Sequence, residues 1–311
     1  MVLSAGSVAV AASTLAAVRL GYSALTFTIL PILVGQEKGI FQRAGIDLRF
    51  QQIRGDLAIP ALLNNEIDYS IGVLPTVWAA GEGMLIRQIA GGQIEPAFSL
   101  VVQPAVGAIT DLKGQIIGVS RLRSLASNLL QSILKRHGMS FSDVKVLSLQ
   151  TTNNVFATLD TKQIAGGMLS IPWDIKAKLA GYKLLARAAD YTMAYQGGIA
   201  TTVKKLNEMP EVTDKFLLAY VQSLRAVKTD RAATIETIGK TFKIDKQLAT
   251  ASYAEITPLF QETPIIPVEV LESELRTWME MTGKRASVPA EQTMDMGPLQ
   301  KVLKRLEAGR K

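Results

Sequence analysis

Apolar and polar positions change rhythm within nineteen residues near the start of this chain. In "GQEKGIFQRAGIDLRFQQI" (residues 35–53), Gln36, Glu37 and Lys38 favour a helix and run into Gly39. The apolar pair Ile40 and Phe41 follows, then Gly45, then Ile46, Leu48 and Phe50 alternating with Asp47, Arg49 and Gln51. Only glycine adopts the left-handed backbone cheaply, so Gly39 reads as a helix stop and Gly45 as the turn into a strand. The apolar "VRLGY" (residues 18–22) comes before. Pro31 falls in the first helical turn, where its missing N–H costs little. The pattern therefore predicts a strand–helix–strand crossover.

That unit recurs. The sequence predicts a helix capped by Asp56, a strand at 69–73, a short helix from Pro75, and strands in "MLIRQIAGG", "AFSLVVQP" and at 116–119. In "SLASNLLQSILKRHG" Leu125, Leu129, Leu130, Ile133 and Leu134 share one helical face. Ser124 caps that helix, and Lys135, Arg136 and His137 suit its C-terminal dipole. "VKVLSL", "IAGGMLS" and "YKLLARAA" carry the alternation to about residue 188, and after residue 208 only helices are predicted. Phe216, Leu217, Tyr220, Val221, Leu224 and Val227 form one apolar stripe there, and "VEVLESELRTWMEM" another. The fold class is α/β, with a helical last third packed back as support.

Composition narrows the function. The 311 residues are 48% apolar and 20% charged, which is globular usage with room for two domains. The net charge of +7 is scattered, which favours a soluble basic protein over a nucleic-acid binder. The terminal "KVLKRLEAGRK" places Val302, Leu303 and Leu306 on one face of an amphipathic helix. Residues 1–17 carry no charge and resemble the apolar core and cleavage region of a secretory signal, with Ala12, Ala16 and Ala17 as small positions. The expected mature start is near Val18, and the expected location is the periplasm.

The sequence has no cysteine, which removes thiol nucleophiles, thiolate metal sites and a lipid-anchor cysteine. Its one histidine, His137, sits at a predicted helix end, where complementing the dipole explains it better than base catalysis. No serine lies in a G-x-S-x-G elbow, and no spacing resembles a zinc site. The glycine pairs at 91–92, 166–167 and 197–198 lack phosphate-loop context and read as turns. Binding is left.

Ligands of open α/β sheets lie beyond the carboxyl ends of the strands. This selects Ser23, Thr26 and Phe27 after the first strand, Arg54 and Asp56 after the second, and Leu74 and Thr76 after the third. In the second half it selects "SRLRS" with Arg121, Arg123 and Ser124, then Asn153, then Trp173 and Asp174. The "SRLRS" stretch is either an anion cradle at a helix N-terminus or a simple cap with solvated arginines. Trp173 is either a stacking platform or a residue buried between lobes.

The ordered stretches "LPILVGQEKGIFQRAGIDLRF", "ALLNNEIDYSIG", "DLKGQIIGVS", "RHGMSFSDVKVLSL" and "IPWDIKAKLAGYKLLA" resemble the sulfonate/nitrate/taurine group of ABC-transporter solute-binding proteins. That group includes thiamin-pyrimidine binders, and the resemblance spans about residues 18 to 283. It implies a type II periplasmic binding protein: two α/β lobes, a central cleft and two crossover strands, near Val101 to Ala105 and Gly198 to Thr202. The implied division is a signal segment at 1–17, the first lobe at 18–103, the second at 104–200, and a return to the first at 201–311. The implied function is capture of a small organic solute and delivery to an inner-membrane permease, by a monomer with no cofactor or metal. An anionic sulfonate or carboxylate is the preferred solute, although Asp56 and Asp174 suit an amine or a neutral heterocycle. An enzyme of thiamin-pyrimidine synthesis is disfavoured, because those relatives use a cysteine-rich stretch and a histidine. A sensor that presents ligand to a receptor is the other alternative.

Overall fold

The computed structural model describes residues 15–23, 25–53, 55–72, 74–93, 95–122 and 124–309, without the Asp56 side chain. Its strands are β1 (Ala16–Tyr22), β2 (Ile46–Gln52), β3 (Tyr69–Ile71), β4 (Ile86–Ala90), β5 (Phe98–Val102), β6 (Ile116–Val119), β7 (Lys145–Ser148), β8 (Gly166–Ser170), β9 (Lys183–Arg187) and β10 (Ile199–Thr202). They form two five-stranded sheets, ordered β2-β1-β3-β10-β4 and β7-β6-β8-β5-β9. In the first, β1 runs parallel to β2 and β3, and β10 antiparallel to β3 and β4. In the second, β6 runs parallel to β7 and β8, and β5 antiparallel to β8 and β9.

The opening stretch folds as its pattern predicts, with one addition. The helix Leu30–Glu37 ends before Gly39, whose φ is +66°, and Gly45 at +80° leads into β2. Ile40 and Phe41 are buried, but they sit in a one-turn helix, Ile40–Arg43. Gly35 lets the helix Pro210–Thr229 approach, because a Cβ there would strike Ser223 Oγ and lie 2.8 Å from Phe41.

Each sheet has its own core. Val18, Leu20, Tyr69, Ile71, Phe216, Tyr220 and Leu224 share one cluster, in which the Phe216 ring stacks on Tyr69 at 4.2 Å. The predicted helical third therefore packs on the first sheet. Leu100, Val102, Ile117, Val119, Leu130 and Ile133 belong to a separate cluster in the second lobe.

Two boundaries move. Val101 and Val102, expected at the first crossover, lie inside β5, which pairs with β8 and β9 and buries its apolar side chains in the second lobe. The second crossover, expected at Gly198 to Thr202, falls on β10, which pairs with β3 and β4 in the first sheet, so the chain passes between sheets from Ala90 to Phe98 and returns from Arg187 to Ile199. Residues 1–14 of the expected leader lie outside the described residues, whereas Ala16 and Ala17 are strand residues paired with Ile46 and Asp47. A mature start at Val18 would remove the first two residues of β1. No helix among the described residues is long and apolar enough to cross a membrane.

Candidate functional site

Strand register shows at which edge of each sheet the two connections attach. β10 starts at Ile199 opposite Ile71, the last residue of β3, so the return connection arrives at the carboxyl ends of β1 and β3. β5 starts at Phe98 opposite Ser170, the last residue of β8, and Arg187 at the end of β9 pairs with Ser99. Both connections therefore join the carboxyl edge of one parallel set to that of the other. The loops after β1, β2, β3, β6, β7 and β8 lie at these carboxyl edges. Ile171, directly after β8, reaches the core cluster of the first lobe.

The connections run side by side. Gln93 and Gln196 exchange both backbone hydrogen bonds, at 2.7 and 2.9 Å, and the Ala97 N–H donates to Gln196 Oε1 at 3.2 Å. Gly92 has to be a glycine because a Cβ would strike the Gly197 carbonyl. The pairs 91–92 and 197–198, read from sequence as turns, thus allow two backbones to pass closely. The third pair, Gly166 and Gly167, lies within β8, where a Cβ would meet Val102 or Val155. A buried carboxylate braces this region: Glu274 accepts the Tyr195 N–H at 2.9 Å, and burial pushes its carboxyl up to about 7.

The expected site residues divide. Ser23 and Thr26 are exposed after β1, and Thr26 Oγ1 shares a hydrogen bond of 2.7 Å with Thr28. Leu74 is half-buried against the first core. Arg121 after β6 and Asn153 after β7 are exposed as well. Ser124 behaves as a cap: its Oγ donates to the Arg121 carbonyl at 2.6 Å and accepts from the Ser127 N–H. Arg54 and Arg123 lie outside the described residues, as does the Asp56 side chain.

Four residues have other partners. Phe27 is only 4% exposed and stacks on Phe242, with centroids 4.2 Å apart, so the ring belongs to the core. Thr76 is buried and accepts from Gln88 Nε2 at 3.1 Å, and Gln88 Oε1 accepts from the Tyr195 hydroxyl. Trp173 lies against Phe156, with Lys176 Nζ 5.3 Å from its ring, within the second lobe. Asp174 is buried and faces Ser99 and the β5–β9 side of the second sheet, away from the "SRLRS" loop. An apolar residue next to a strand end looks the same in sequence whether it lines a cleft or closes a core.

The family description NMT1/THI5 like matches residues 26–232. No curated protein matches the sequence. The fold is similar to the periplasmic aliphatic sulphonate binding protein SsuA from Escherichia coli, with TM-score 0.76 and 17% identity over 91% of this chain and 99% of that one. It is also similar to the alkanesulfonate-binding protein SsuA from Xanthomonas axonopodis pv. citri bound to MOPS, with TM-score 0.68 and 18% identity over 92% and 97%. The desulfurization enzyme DSZB aligns with TM-score 0.71 and 13% identity over 93% and 99%. The two lobes thus have the periplasmic binding protein fold, on which both binders and an enzyme occur.

Proposed function

The chain belongs to the NMT1/THI5-like family, and from that premise we propose that it is the solute-binding component of an ABC importer. It captures a small organic solute between its lobes in the periplasm and hands it to the permease. The observation that supports this most is the topology: two connections turn the carboxyl ends of both parallel strand sets toward one gap. Such a gap suits a ligand that touches both lobes and favours their closure.

The fold alone does not choose between binder and enzyme, since DSZB shares it. The inventory favours the binder. The sequence has no cysteine, and His137 is exposed at a helix end with its Nε2 3.1 Å from the Tyr191 hydroxyl. Neither offers an activated nucleophile beside the gap.

The solute we favour carries an anionic head, a sulfonate or carboxylate, met by Arg121 and the N–H groups that open the helix Leu125–Arg136. The SsuA proteins named above, which bind sulfonates, support this class. Ser23, Thr26, Leu74 and Asn153 border the same gap, and we keep Arg54, Asp56 and Arg123 as proposed contacts. A melting-temperature screen across sulfonates, carboxylates and pyrimidines tests the reading. A solute at a hundred times its Kd adds about 2.7 kcal/mol to stability. Arg121→Gln should then weaken a responding anion by about tenfold or more, the usual loss of a charge-assisted bond. A panel in which no compound shifts the melting temperature would sink the proposal.

A further inference from the structure

The lobes meet a second time, on the β5–β9 side of β8. A hollow of about 170 Å³ there is lined by Glu255 and Leu259 from the first lobe and by Ser99, Asp174 and Arg187 from the second. An ion pair joins the lobes across it, with Arg187 Nη2 3.7 Å from Glu255 Oε2. Asp174, 8% exposed, accepts from Ser99 Oγ at 3.0 Å and from the Ile175 N–H at 2.8 Å. Among the described residues no lysine or arginine pairs with it.

We infer that this hollow is a proton-operated latch on the angle between the lobes. With Asp174 neutral, Arg187 serves Glu255 alone and the hollow stays shut. With Asp174 ionised, its charge repels Glu255 on the opposite lobe, competes for Arg187, and widens the hollow.

The charges around Asp174 support that direction. Glu95 faces the hollow from the first connection, Arg187 from β9, Asp190 from the turn after it, Glu255 from the first lobe, and Lys178 from Asp174's own helix. Of these charges Glu255 acts on Asp174 directly, and it opposes a further negative charge there. Burial, with Glu255 acting in the same direction, pushes the Asp174 carboxyl up to about 6, which puts the change within mildly acidic pH. The inference rests on the proposed hinged lobes, but it needs no solute.

The sequence has no cysteine, so two introduced ones carry spin labels uniquely. Leu179→Cys, next to Lys178 on the second lobe, and Gln247→Cys, on the first-lobe helix Lys246–Ile256 that carries Glu255, are both at exposed positions. Pulsed electron paramagnetic resonance on the unliganded protein should give a longer label distance at pH 7.5 than at pH 5, with the midpoint near 6. Asp174→Asn should abolish the shift. Glu255→Gln, at an exposed position that does not threaten folding, should at least halve it. A parent distance unchanged by pH, or a shift that survives in both variants, overturns the latch. Solute-induced stabilisation with a pH-independent distance rejects the latch and keeps the binding proposal. A pH shift with no solute response does the reverse.

Discussion

Phe27 and Glu274 show how much one side chain's environment decides. Phe27 stacks on Phe242 in the first core, so Phe27→Ala should lower the stability of the unliganded protein by about 3–5 kcal/mol, as large core truncations do. Chemical denaturation checks this, and an unchanged midpoint would restore Phe27 as a cleft residue. Glu274 is different because its charge is the burden. Its carboxyl is raised in the fold to about 7, so the folded state holds the proton more tightly than the unfolded chain does. Its contribution is complete below the unfolded value near 4.5 and is lost as pH rises through 7. Glu274→Gln keeps an acceptor for the Tyr195 N–H and cannot ionise, so it should flatten the fall in stability between pH 4.5 and 7.5. The difference at the upper end is on the order of 3 kcal/mol. Parallel pH profiles for parent and variant would show that the carboxyl does not titrate there. Neither environment was legible in the sequence. Phe27 sits in a polar-tinged loop, and the partner that buries Glu274 is 79 residues away.

At the scale of elements, local chemistry was legible and assembly was less so. Gly39, Gly45, Pro31 and the Ser124 cap act where the sequence places them. The first crossover was misplaced because Phe98–Val102 reads as a strand that could serve either sheet. Only pairing with β8 and β9 assigns it to the second. The better signal was "GGQIEPA" just before it, rich in glycine and proline as a connection should be. The contact between the helices Leu30–Glu37 and Pro210–Thr229 gives a test at this scale. Gly35→Ala puts a methyl group against Ser223 and Phe41, so the helices must part, at a cost of about 1–3 kcal/mol for overpacking. Ser223→Ala in the same chain should recover part of the loss. A Gly35→Ala protein as stable as the parent would mean that the helices do not meet there.

For the whole molecule, the central claim is that two lobes, joined by the 91–97 and 188–198 connections, close on a solute in the gap between their strand ends. The sequence conveyed the two-lobed fold through the order of its motifs. The solute stayed hidden because recognition depends on loops that local pattern does not arrange. Small-angle scattering tests the claim most directly, on the unliganded protein and on the same sample saturated with the compound that most raises its melting temperature. The saturated sample should show the smaller radius of gyration, since a ligand held by both lobes shifts the population toward the closed form. An unchanged radius, with binding confirmed by calorimetry in the same buffer, would contradict it.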